Sequence, residues 1–186
     1  IIGTMRDITE LETVRKRQQE TYELYKSLVE TRVAGIGITD LEENFIFVNE
    51  QFADMLGYNT QELTGSNLSI LVSTYTYRQF QQKTANRIDG KSETYETQVK
   101  KKNGELVDVL VNSSPYRNSD GQVIGTTAII LDITERKRNE EMLRKLAAAV
   151  DQSPSIVAIT DSNGDLEYVN PKFSEITGYS SEQALG

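Results

Sequence analysis

An internal repeat constrains this chain more than any other feature of its sequence. The segment from Ile38 to Gly65 aligns without a gap on the segment from Ile159 to Gly186, and nine of the 28 positions are identical. The motif DITE, at residues 7–10, recurs at residues 132–135. Because both motifs recur in the same order, we interpret the chain as the end of one unit, one complete unit and the beginning of a third.

The repeated segment predicts a β-hairpin and two short helices in each copy. Turn-forming residues between Ile36–Thr39 and Phe45–Val48 favour a hairpin. Asn49 lies where an N-cap residue should start a helix, and Gly57 lies where that helix should end. The second helix of each copy begins with a capping-box sequence, Asn59 with Glu62 and Ser180 with Gln183.

Only the central unit continues with further elements. The spacing of its apolar residues predicts a helix over 76–87, with Thr76 and Gln79 as its capping box. Alternating or continuous apolar residues then predict strands near 95–99, 107–113 and 123–131, and Asn103-Gly104 is a strong hairpin turn. We therefore expect three long antiparallel strands after the helices.

The residues ITD, FVN and GY, followed by KKNGE, SP and DITERK, resemble the PAS domain family of the sensory-box type. This resemblance implies an α+β fold, in which a five-stranded antiparallel sheet carries short helices on one face and encloses a small cavity, with flanking helical connectors. The expected organisation is the end of a preceding PAS unit at 1–9, a helical connector at 10–30, a complete PAS domain at 27–134, a second connector at 135–150 and the first part of another unit at 147–186.

The resemblance also implies a function. We expect a non-catalytic sensory and dimerisation module of a signal-transduction protein, with a sensor histidine kinase favoured as the parent. A small-molecule or noncovalent flavin sensor, and the PAS array of a cyclic-dinucleotide enzyme or a transcription regulator, stay open as alternatives. By the same resemblance Asp132, Ile133, Thr134 and Glu135 form the signal relay between the sheet and the outgoing helix, and Asp132 is also suited to capping that helix.

A candidate pocket follows from the apolar positions expected on the concave side of the sheet, most of which are also explained as ordinary core. Tyr95 and Thr97 could supply polar contacts to a ligand, whereas capping sufficiently explains Asn49. The candidate lining is Ile36, Ile38, Phe47, Asn49, Phe52, Leu56, Leu71, Phe80, Tyr95, Thr97, Val109, Val111 and Ile129.

The chain contains no His, no Cys and no Trp. It therefore cannot build a His-dependent catalytic triad, a cysteinyl adduct to a flavin, or a zinc or haem site with the usual ligands. No catalytic residue and no metal site are predicted; Asp40 and Asp161 are better explained as turn caps than as acid–base groups. No cofactor is predicted, although a noncovalently bound flavin or a small metabolite is compatible with the composition.

A net charge of −8 argues against binding to nucleic-acid phosphates. No apolar run approaches the length of a membrane span. We expect a cytoplasmic piece of a longer protein, without membrane contact of its own, whose parent could still be membrane-attached.

The expected partners are neighbouring PAS and output domains of the same chain and a second copy. The second copy is expected to dimerise through the helical connectors and the sheet face. The alternative is that each connector packs its apolar stripe on its own sheet. Residues 147–186 lack the strands that would cover their apolar face, so we expect them to be mobile or to pack on a neighbour.

Overall fold

The computed structural model describes residues 15–16 and 34–185, apart from the side chains of residues 86 and 87. These described residues divide into two compact units, one that ends at Thr134 and one that begins at Glu135. Arg15 and Lys16 are helical and exposed. The expected tail at 1–9 and most of the first connector at 10–30 lie outside the described residues.

The first unit is built on a five-stranded antiparallel sheet with the strand order β2-β1-β5-β4-β3. The pairs β1–β2, β1–β5, β4–β5 and β3–β4 are all antiparallel. The strands are β1 (Gly35–Asp40), β2 (Phe45–Val48), β3 (Glu93–Lys100), β4 (Leu106–Arg117) and β5 (Val123–Asp132). This sheet, with short helices, confirms the predicted α+β fold.

Four helical segments lie between β2 and β3. They are α1 (Glu50–Leu56), α2 (Thr60–Leu63), a 3-10 helix (Leu68–Leu71) and α3 (Thr74–Ile88). Their apolar side chains join those of one sheet face in a single core, which includes Phe52, Leu56, Leu71, Phe80 and Val109. The helices therefore cover this face of the sheet, which we call the inner face.

The predicted caps of the first two helices are present. The Asn49 side chain accepts a hydrogen bond from Phe52 N, Gly57 ends α1 in the left-handed conformation (φ 73°), and Asn59 forms its capping box with Glu62. The predicted start of α3 is wrong by two residues. Ser73 Oγ accepts from Thr76 N at 3.1 Å, so Ser73 rather than Thr76 caps the helix, which begins at Thr74.

The second unit repeats the beginning of the first. Helix α4 (Thr134–Asp151) begins at the end of the first unit and continues into the second. It is followed by the hairpin β6 (Ala158–Thr160) and β7 (Leu166–Val169), and by helices α5 (Pro171–Thr177) and α6 (Ser181–Ala184). Ile159 and Ile176 are more than half exposed, so the apolar face of this hairpin and helix stays open.

Asn170 holds the start of the second unit together and is fully buried. Its side-chain oxygen accepts hydrogen bonds from Val157 N at 3.0 Å and Phe173 N at 3.2 Å. Its amide nitrogen donates to the carbonyls of Val150 at 3.1 Å and Ser155 at 3.0 Å. The predicted N-cap thus also joins the last turn of α4 to the hairpin.

Candidate functional site

A small cavity lies inside the first unit, between the inner face of the sheet and the covering helices. Its volume is about 50 Å³, and most of its wall is apolar. The polar side chains on the wall are those of Thr39, Glu43, Tyr95, Thr97, Ser113 and Thr126.

The structure places a first group of the predicted pocket residues on the wall of this cavity. They come from α1, the 3-10 helix, α3, β3 and β4, and meet because the helices fold back over the sheet. They are Phe52, Leu56, Leu71, Phe80, Tyr95, Thr97 and Val111. Val109 and Asn49 are buried, but they do not line the cavity.

The other four predicted residues lie on the opposite, outer face of the sheet, and their expected placement was wrong. Ile36 is directly paired with Ile129, and Ile38 with Phe47, so each pair shares one face. The inner positions of β1 are instead Gly35, Gly37 and Thr39, which are buried.

The register of the first hairpin explains the error at Phe47. The pairing shifts between Ile38 and Thr39, so that Phe45 lies opposite Thr39. This irregularity leaves Phe45 and Val48 facing the core and turns Phe47 outward. A strand that is apolar on both faces contains no signal for such a shift.

Several wall residues were missed by sequence reasoning. Once Gly37 is known to face inward, the antiparallel register places Thr126, Ala128 and Ile130 on the same face. Glu43 was missed because it lies in a turn, where charged residues are usually solvated. The internal repeat could have identified it, because the position corresponding to Glu43 in the second copy is Gly164.

Glu43 is a buried charged residue on the cavity wall, only 3% exposed. Its carboxylate accepts hydrogen bonds from the hydroxyls of Thr84 and, at 3.4 Å, of Thr39. Its backbone is in the left-handed region (φ 66°), where it is the only residue other than glycine in the described part of the chain. Both features are unusual, because L side chains disfavour positive φ and glutamate side chains are seldom fully buried.

Aromatic and basic groups surround Tyr95, on another part of the wall. The Tyr95 ring packs against Phe80 at a centroid distance of 5.7 Å, and Lys83 Nζ lies 4.2 Å from its centroid. Lys83 also pairs with Glu93 at 3.1 Å. These contacts hold Tyr95 between the sheet and α3.

The predicted relay residues form a hydrogen-bonded joint between β4 and the start of α4. Thr134 Oγ1 accepts from Asp108 N at 3.1 Å, and Ile133 N donates to Asp108 O at 2.9 Å. Thr134 N donates to Asp132 Oδ1 at 2.8 Å, so Asp132 caps the helix as expected. Ile133 is buried, and Glu135 lies in the first turn, where its charge favours the helix dipole.

Within 15–16 and 34–185, no group of three or more carboxylates is arranged to hold a metal ion. Asp161 behaves as a turn cap. The backbone N–H groups of Asp165 and Asn163 donate to its carboxylate and hold its pKa below the ordinary value. Asp40 occupies the corresponding turn and accepts from Asn44 N at 2.7 Å.

Besides the open face of the second unit, two further apolar surfaces are exposed in the described residues. One is the outer face of the sheet, where Ile129 and Leu131 are 45% and 37% exposed. The other is a stripe on α4 formed by Met142, Leu143 and Leu146, each more than half exposed. None of the helices in the described ranges is long and apolar enough to cross a membrane.

Comparison with family models identifies both units. A PAS domain model matches residues 33–135, and a second PAS domain model matches residues 144–186. A solved structure with a similar fold is the PAS domain of an HTR-like protein from Haloarcula marismortui. It superimposes with a TM-score of 0.59 at 21% identity and covers 66% of this chain and 99% of that one.

Two curated proteins are similar to this chain in sequence. The chain is 28% identical over 134 residues to the probable diguanylate cyclase DgcE of Escherichia coli, covering 71% of this chain and 12% of the relative. It is 30% identical over 128 residues to the bacterioopsin transcriptional activator of Halobacterium salinarum, covering 64% and 18%. The chain thus spans less than a fifth of the length of either relative.

Proposed function

Because this chain belongs to the PAS domain family, we propose that its complete unit is a non-catalytic sensory module that passes a conformational change from its sheet to helix α4. The hydrogen-bonded joint between Asp108 and Thr134 carries this proposal. Asp108 lies near the beginning of β4, and its backbone N–H and C=O contact Thr134 and Ile133 where the outgoing helix begins. A shift of β4 therefore changes the position at which α4 starts.

The joint is suited to a switch because it is small. It depends on a few hydrogen bonds, each worth about 1 kcal/mol. A ligand or partner that binds two arrangements of the sheet with a modest difference in affinity can shift such an equilibrium. The test is the output of the complete protein, which Thr134→Val should change and the exposed control Thr94→Val should leave unchanged. Equal output from the two variants would contradict the relay.

We also propose that the module forms a homodimer. The exposed stripe of Met142, Leu143 and Leu146 on α4 supports this, since an amphipathic helix gains stability by burying its apolar side against a partner. The exposed apolar residues on the outer sheet face offer a second contact surface. Neighbouring PAS and output domains of the same protein are the other proposed partners.

Analytical ultracentrifugation tests the dimer. We expect the 186-residue chain to dimerise and Leu143→Lys to shift it toward monomer. Ala148→Lys is the matched control, because Ala148 is exposed on the other side of α4. A strictly monomeric chain, or equal dissociation of both variants, would contradict this interface.

We propose the output activity of the complete protein from the sequence analysis and from the two relatives. The sequence analysis favours a sensor histidine kinase, and the two relatives support a diguanylate cyclase and a transcriptional regulator as alternatives. Autophosphorylation, cyclic-dinucleotide synthesis and DNA binding by the complete protein distinguish the three. We further propose that the module is cytoplasmic and binds no nucleic acid, in agreement with its net charge of −8.

Ligand sensing is the second candidate function, and the enclosed cavity supports it. A volume of about 50 Å³ corresponds to a few water-sized sites. Pockets for drug-sized ligands measure roughly 300–1,000 Å³, so the cavity as described does not fit the three-ring system of a flavin. The small-metabolite alternative therefore agrees better with the geometry. The absorbance spectrum of the purified protein tests this, since a bound flavin would contradict it.

A further inference from the structure

We propose that Asn170 is the positioning residue through which helix α4 acts on the second unit, so that the conformational change proposed for the first unit also reaches the hairpin β6–β7 and helix α5. The inference rests on the relay of the proposed function and extends it by one unit. Three observations carry it: the exposure of α4, the hydrogen bonds of the Asn170 side chain, and a second contact at the same end of α4.

Helix α4 is suited to passing a movement from one end to the other. Its 18 residues extend over about 27 Å, and none of them is buried. Arg136 pairs with Glu140 and Lys145 with Glu141, each at 2.7 Å, and pairs at this spacing stabilise a helix. Because no side chain of α4 is fixed in a core, a shift of its first turn displaces its last turn as well.

The Asn170 side chain connects the last turn of α4 to the rest of the second unit. Its oxygen accepts hydrogen bonds from Val157 N and Phe173 N. Its nitrogen donates to Val150 O and Ser155 O. An asparagine side chain offers two acceptor sites and two N–H donors, so a single planar amide is fully used by these four bonds. Because Val150 lies in the last turn of α4 whereas Val157 and Phe173 lie at the start of the hairpin and of α5, a displacement of Val150 changes the other bonds.

A second contact fixes the same end of α4 to strand β7. Tyr168 Oη donates to Asp151 Oδ1 at 2.6 Å, and Asp151 is the last residue of α4. The accepting carboxylate raises the pKa of the Tyr168 hydroxyl, so this hydroxyl stays protonated and able to donate at neutral pH. Tyr168 lies two residues before Asn170 in the chain. Both contacts therefore join the end of α4 to the same short segment.

Capping alone does not require the bond between Asn170 and α4. Asn49, the corresponding residue of the first copy, also accepts from the backbone of its helix and its hairpin and donates to the residue before β1. In the second unit, Ser180 caps α6 with a hydroxyl, so a side chain without an amide is sufficient for a cap. The bond to Val150 O is thus the feature of Asn170 that its capping role leaves unexplained.

The test introduces a change in the first unit and measures the response in the second. Thr134→Val removes the hydroxyl that joins the beginning of α4 to β4. The Val157 amide, which donates to Asn170, reports the response in the isotope-labelled 186-residue chain. Native-state hydrogen exchange at Val157 should become at least about twofold faster in Thr134→Val. The control Thr94→Val, which removes only an exposed hydrogen bond within the sheet, should leave Val157 unchanged.

Asn170→Ser separates the coupling from the capping. The hydroxyl of this variant can still cap α5, but the variant has no amide to donate to Val150 O. In this background, Thr134→Val should change exchange at Val157 by less than about 1.2-fold, because the double-mutant cycle isolates the coupling from the stability lost at either site. A response as large as in the unsubstituted chain would overturn the role of Asn170.

Tyr168→Phe provides a second variant that leaves the buried asparagine in place. It removes the hydroxyl that donates to Asp151, so the response of Val157 to Thr134→Val should fall by about half. Tyr179→Phe is the matched control, since Tyr179 is exposed in the same unit, and it should leave the response unchanged. If Asn170→Ser does not fold, Tyr168→Phe decides, and equal responses in the two tyrosine variants contradict the proposal.

Exchange at two positions distinguishes this inference from the relay on which it rests. If Thr134→Val leaves exchange at the Ile133 amide unchanged, the relay of the proposed function fails. If Ile133 responds and Val157 does not, the relay is retained and only its extension to the second unit fails.

Discussion

The joint at the start of α4 allows a quantitative test of the relay. Thr134→Val keeps the β-branched shape but removes the hydroxyl that accepts from Asp108 N at 3.1 Å. Asp132 Oδ1 still accepts from the residue-134 N–H, so the helix keeps its cap. The change therefore removes the contact with β4 specifically.

The expected cost follows from the environment of this hydrogen bond. The bond is partly buried, so water replaces it incompletely, and we expect a loss of about 1 kcal/mol, within the roughly 0.5–1.5 kcal/mol typical of such bonds. For a unit of this size, that loss lowers the thermal midpoint by about 4–8 °C. The same loss raises the equilibrium constant for local opening of the joint by about fivefold.

Native-state hydrogen exchange locates the effect. The Ile133 amide, which donates to Asp108 O, should exchange about fivefold faster in Thr134→Val. The amide of Val111, in the middle of β4, should be affected only through global stability.

The matched control is Thr94→Val. Thr94 Oγ1 accepts an exposed hydrogen bond from Asn112 Nδ2 at 3.0 Å, which water can replace, so its removal should cost less than about 0.5 kcal/mol. Equal destabilisation by both variants, or unchanged exchange at Ile133, would refute the reasoning.

Three further substitutions test other parts of the structure. Gly125→Ala would place a Cβ 1.9 Å from the carbonyl oxygen of Thr39, so it should destabilise the first unit by about 3 kcal/mol or more, measured by denaturant unfolding. Asn170→Ala leaves four backbone groups, all in partly buried hydrogen bonds, without their partner and should cost the second unit about 2–3 kcal/mol, with faster exchange at Val157; unchanged exchange would exclude this role. Because the pKa of Asp161 is lowered in the folded state, its carboxylate stabilises the second unit at pH values above its unfolded pKa of about 3.9, and this stabilisation is lost as pH falls through the folded pKa. Asp161→Asn should remove this pH dependence of stability, and an NMR titration of Asp161 in the unsubstituted chain should show the lowered pKa.

The local elements could be predicted because their signals are local. Asn49 and Gly57 bound α1 as expected, since a side-chain cap and a left-handed terminus depend on adjacent residues. The Asn103-Gly104 turn sets a regular register between β3 and β4 for the same reason. The DITE residues at the start of α4 were singled out because their motif recurs, and the Asp132 cap agrees with the structure.

The sequence could not predict which alternate residues of β1 lie on the inner face of the sheet. Ile36 and Ile38 look like core residues, but helix α1 packs so closely on the inner face that a Cβ at Gly35 would lie 3.1 Å from the Phe52 backbone. Small residues are therefore needed inside, and the isoleucines turn outward. When a strand has apolar residues on its outer face, the alternation of its sequence does not show which face is buried. Only the element that packs against the strand reveals this.

The amino-acid sequence alone was sufficient for the repeat, the element order, the caps of α1 and α2 and the absence of His- and Cys-dependent chemistry, because these depend on residue identity and short-range geometry. The tertiary structure decided which residues enclose the cavity, how small the cavity is, and that Glu43 lies on its wall. Those properties depend on contacts between residues far apart in the chain, such as Glu43 with Thr84, and no local pattern encodes them.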